Sequence, residues 1–98
     1  MKTRAEKLTI LAARLMEFED QLVQSATVPA YNDAIRAIKI CLDTALQAKE
    51  LTDFWPIVGE LKAELKKLEV GEIMKRQFSC DKLYKKLIIT AAEEMKKN

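Results

Sequence analysis

Leu8, Leu11, Leu15, Phe18 and Leu22 follow one another at steps of three, four, three and four. Only a helix of 3.6 residues per turn brings all five to one stripe, and no strand register can do so. The same rhythm returns three times. Tyr31, Ala34, Ile38, Cys41, Ala45 and Ala48 carry it next, with Ile35 and Leu42 alongside. Phe54, Val58, Leu61, Leu65 and Leu68 form a third row, and Leu83, Leu87, Ile88, Ala91 and Met95 a fourth. Four amphipathic helices are the smallest reading that accounts for all of them.

The breaks between these rows have a chemical reason. Thr3 and Glu6 have the spacing of a capping box, which places the first helix start at Thr3. Around Ser25 to Pro29 that helix must stop, because proline lacks the amide donor and pushes its predecessor out of helical geometry. The second helix is expected from near Pro29, or from Asn32 as cap, to about Lys49. Asp53 or Thr52 would cap the third, with Pro56 tolerated in its first turn, and Gly71 would end it as a left-handed residue. Ser79, bracketed by Phe78 and Leu83, would start the last helix, leaving Ile73 to Gln77 as a turn or short helix. One unbroken helix from Glu72 is the alternative.

Short connections favour neighbours that run in opposite directions. The expected fold is therefore all-α, a small antiparallel up-and-down four-helix bundle occupying residues 1–98 as a single helical domain. The alanine-rich second helix, which lets neighbours approach closely, is expected at its centre. With 98 residues, roughly two-thirds of the surface of the unfolded chain can be buried.

Composition then removes whole classes of function. The chain has no histidine, which takes away the commonest general base and metal ligand, and its two glycines cannot form a phosphate-cradling loop. No catalytic, cofactor-binding or metal-binding residue is expected, and the chain reads as not an enzyme. Glu17, Glu19 and Asp20, like Glu93 and Glu94, read as solvated helix faces. Cys41 reads as a small core side chain. Cys80, at a helix start beside Lys82, is where a reactive thiolate would be favoured. No run is long enough for a membrane span or an export signal, and the two cysteines suggest no disulfide framework, so no membrane partner and a cytoplasmic location are expected.

Surfaces remain. Residues 75–86 contain Lys75, Arg76, Lys82, Lys85 and Lys86 against Asp81 alone, with Tyr84 as a potential base stacker. Trp55, about 100° off the third apolar row, and Tyr31 are the aromatic candidates for partner contact. The leading expectation is a noncatalytic protein-binding module, acting as adaptor, chaperone, inhibitor or regulatory subunit. A nucleic-acid-binding regulator using the basic stretch is the alternative, and self-association into a homo-oligomer is a third expectation.

Overall fold

A computed structural model describes residues 3–97; Met1, Lys2 and Asn98, which belong to the expected 1–98 domain, lie outside the described residues. Among the described residues there are four α-helices and no strand. They are α1 (Arg4–Gln24), α2 (Val28–Gln47), α3 (Trp55–Glu69) and α4 (Asp81–Lys96). Short 3-10 turns at Lys49–Phe54 and Lys75–Gln77 lead into the last two.

The expected boundaries hold at some ends and fail at others for identifiable reasons. Thr3 caps α1, its hydroxyl accepting from the Glu6 amide at 3.2 Å. For α2 the cap is Thr27 rather than Asn32: the Thr27 hydroxyl accepts from the Ala30 amide at 3.2 Å and Pro29 sits harmlessly in the first turn. Neither Thr52 nor Asp53 caps α3, which continues straight out of the preceding 3-10 turn with Phe54 in the cap position. The Asp53 carboxylate is drawn away to Arg4. At the other end of α3, Gly71 has φ 77°, and the Glu72 and Gly71 amides donate to the carbonyls of Lys67 and Leu68 at 2.9 and 3.2 Å. This is the Schellman closure that glycine permits.

A helix running unbroken from Glu72 does not form. The backbone is extended at Met74 and Phe78, and the Gln77 side chain accepts from the Met74 amide at 2.7 Å, stabilising a separate turn. Ser79 contributes a local turn, its hydroxyl accepting from the Asp81 amide at 3.1 Å, while Cys80 takes the cap position.

Packing follows the apolar rows. Leu8, Ala12, Leu15 and Leu22 of α1 are fully buried, as are Ile38 and Leu42 of α2, Phe54 and Val58 at the start of α3, and Leu87 of α4. The broadest seam joins α1 to α4, the next joins α1 to α2, and α3 leans mainly on α2. The centre is thus shared by α1 and α2 instead of belonging to α2, because α1 brings leucines to two neighbours. Arg4 meets Glu94, Cys80 meets Glu19, and Tyr31 meets Leu68, so the start of one helix lies beside the end of another. The body measures 45 × 22 × 21 Å.

The row expected on α4 is narrower than the sequence pattern implies. Leu83, Leu87 and Ala91 are buried, but Ile88 is 36% and Met95 55% exposed. With one broad neighbour, α1, and only brief contact with α3, α4 has no second wall to cover its flank.

Candidate docking groove

The two aromatic candidates for partner contact turn their polar tips inward. Trp55 opens α3 half-buried, and its indole N–H donates to the Ala45 carbonyl in the last turn of α2 at 2.9 Å. That carbonyl also accepts from the Ala48 amide at 3.2 Å, so the indole is its second donor. Tyr31, near the start of α2, donates its hydroxyl to the Leu68 carbonyl at 3.1 Å. The two side chains fasten α2 to α3 near opposite ends, and each keeps part of its ring at the surface.

The basic stretch is also largely engaged within the chain. Lys75 donates to the Ser25 carbonyl at the end of α1, 2.6 Å away. Lys82 lies 3.6 Å from Glu60, and Lys85 3.0 Å from Asp81 one turn earlier. Lys86 reaches the Asp53 carbonyl at 3.0 Å and stands 5.1 Å from the centre of the Phe54 ring. Arg76 alone of the five has no such partner among the described residues and is exposed. Tyr84 packs half-buried against the core. Lys75 and Lys86 are thereby tied to backbone carbonyls, whereas the side chains of Lys82 and Lys85, 76% and 69% exposed, stay at the surface beside their carboxylates.

Cys80 is not placed as a reactive thiol. Its side chain is buried, and Glu19 of α1 accepts from its backbone amide and faces the sulfur. Burial first, and then the Glu19 carboxylate, push the Cys80 thiol far above its usual range. The expectation of a dipole-favoured thiolate beside Lys82 is therefore corrected, because burial and a carboxylate from another helix both disfavour the charged form. Burial also raises the Cys41 thiol, against a smaller opposing pull from Arg14. Glu94, read from sequence as solvated, instead binds Arg4 at 2.7 Å. Among the described residues no three acidic or thiol side chains gather as metal ligands, and no helix is long and apolar enough to cross a membrane.

A groove not foreseen from the sequence lies between α1 and α2. Leu11 from α1 and Cys41, Ala45 and Leu51 from the other wall form its floor, and Ile10 and Ile40 stand at its edges. Thr44 and Arg14 line it further, and Lys7 and Glu50, 3.3 Å apart, bridge one end. The volume is about 280 Å³. Short side chains on α2 create it: alanine, cysteine and threonine leave room where leucines would fill the seam. Ile40 is 59% exposed, a branched apolar side chain left at the surface beside an apolar floor.

One signal could have exposed this groove. Ile10 and Ile40 fall outside the stripes already complete on their helices, and so ask for a second apolar face. No protein-family model matches the chain, and no curated protein or solved structure matches it.

Proposed function

We propose that the chain is a noncatalytic protein-docking module that receives its partner in the groove between α1 and α2. The observation that carries this reading is the apolar rim of that groove, where Ile40 stands 59% exposed above a floor of Leu11, Cys41, Ala45 and Leu51. Apolar surface in a concave seam gains free energy when a partner removes it from water, roughly 25 cal/mol per Å². Burial of Ile40, more than half exposed, is the largest single gain available there. The binding of Lys75 and Lys86 to backbone carbonyls, and the carboxylates of Glu60 and Asp81 beside Lys82 and Lys85, make a nucleic-acid role the weaker reading. Adaptor, inhibitor and regulatory-subunit roles all fit a docking groove and differ only in the partner.

A photo-crosslinking residue, benzoylphenylalanine, placed at Thr44 and irradiated in host cells tests the reading. Defined protein adducts are expected, and Ile40→Asp should abolish them while leaving the circular dichroism and melting temperature unchanged. The same residue placed at Arg76, at the far end of α1 where Lys75 meets Ser25, should give none of those adducts. Absence of adducts at Thr44, or adducts indifferent to Ile40→Asp, would overturn the proposal. Titration with duplex and single-stranded nucleic acid at low salt should show no binding; binding whose salt slope falls when Lys85 and Lys86 become Ala would favour the alternative.

A further inference from the structure

From the groove's construction we infer the class of its partner: an amphipathic α-helix carrying a carboxylate that pairs with Arg14. This rests on the docking reading above and adds the occupant's secondary structure and charge. Three features of the groove lead there.

The first is the groove's lack of backbone handles. Apart from the end formed by Ala48, Glu50 and Leu51, both walls are α-helices whose amides and carbonyls bond internally, so along most of its length a partner finds side chains only. An extended peptide laid on that floor would leave its own amides and carbonyls unpaired against apolar atoms, at a cost of about 1–3 kcal/mol for each group. A helix arrives with its backbone already satisfied. The sheet-edge mode of recognition is excluded on the same ground.

The second is size. Lys7 and Arg14 mark the two ends of the groove on α1, seven residues or about 10.5 Å apart at 1.5 Å per residue. Two turns of a partner helix, with apolar anchors at i, i+3 or i+4, and i+7, span the same length. A small ligand would remain wet along the open side, whereas a third helix laid on the seam of two meets both.

The third is charge. At one end Lys7 is already neutralised by Glu50 at 3.3 Å. Arg14 lies close enough to Cys41 to act on its thiol, yet no carboxylate of the described chain pairs with it. The groove therefore has an apolar floor, a neutral end and one uncompensated cation. Its complement is an apolar ridge with an acidic residue on one flank.

The test is a selection from a library of helices displayed on a rigid scaffold, run against the full chain and against its Arg14→Glu and Ile40→Asp variants. Both substitutions are at exposed positions, and unchanged circular dichroism and melting temperature are required of each; Thr44→Arg, at a third exposed site in the groove, replaces either variant that fails to fold. The wild type should recover helices with the stated apolar spacing and Asp or Glu on one flank. Against Arg14→Glu the same helices should bind about tenfold more weakly and the flank should turn to Lys or Arg. Ile40→Asp should recover none of them.

Helices lost with Ile40→Asp but indifferent to Arg14→Glu would overturn the inference and leave the docking reading intact. Recovery only of binders indifferent to Ile40→Asp would overturn it too. A dimer in sedimentation that Ile40→Asp converts to monomer would make a second copy of this chain the occupant, with the same consequence. Failure of the Thr44 crosslinking would remove the docking reading itself.

Discussion

The Arg4 guanidinium grips the Asp53 carboxylate through both oxygens, 2.8 and 2.7 Å away, across 49 positions of sequence. It also reaches Glu94 at 2.7 Å and stands 5.7 Å from the centre of the Phe54 ring. One side chain at the start of α1 thus joins the beginning of α3 to the end of α4. Phe54, fully buried, lies between Arg4 and Lys86.

Arg4→Met should lower stability by about 1–2 kcal/mol, combining a partly exposed two-carboxylate contact with the loss of one cation over the ring. Urea unfolding measures it. In 1 M salt, where screening acts over about 3 Å, the gap between variant and wild type should narrow.

Phe54→Ala removes a fully buried ring and should cost about 3–5 kcal/mol, a large share of the 5–15 kcal/mol typical of whole domains. Lys86→Met keeps the ring and loses only one cation, so its cost should stay below about 1 kcal/mol. Equal urea midpoints for the two variants would mean that the buried ring contributes no more than the cation beside it.

Two glycine substitutions should move in opposite directions. Gly71→Ala puts a side chain at φ 77° and should destabilise by about 1–2 kcal/mol. Gly59 lies inside α3 with open space around its Cβ position, so Gly59→Ala should stabilise by about 0.5–1 kcal/mol. Thermal melting of the pair reads both signs.

Both cysteines have thiols raised by burial, and for Cys80 Glu19 adds to the shift. Above pH of about 8.5 the unfolded chain releases these protons while the folded chain retains them. Proton loss then favours unfolding, so their stabilising contribution is complete below that pH and declines as pH rises. Urea midpoints from pH 7 to 10 should fall, and Cys80→Ala should flatten the decline. In the native state a thiol reagent should label Cys80 slowly, with prompt labelling on unfolding.

Local rules made much of the fold legible. Leu8 through Leu22, Phe54 through Leu68, and the stop at Gly71 follow from periodicity and backbone preference, which act within a few residues. Tertiary competition hid the rest. Asp53 has the chemistry of a cap, but Arg4 outbids the adjacent amides for its carboxylate, and Glu19 turns toward Cys80 from another helix. Ile88 and Met95 match the inward rhythm of α4 but face no neighbour. For the groove, Ile10 and Ile40 outside the complete stripes were a legible sign of a second apolar face, but how closely α1 and α2 approach is not encoded in either pattern alone.

The broad seam between α1 and α4 also imposes an order in time. The earliest helix of the four to be synthesised finds its largest cover in the latest, so until residues 81–96 emerge the nascent chain must carry an oily flank of α1 in the open. Ribosome-bound chains halted after Gly71 should consequently be more easily captured by holdase chaperones than chains allowed to reach Lys97.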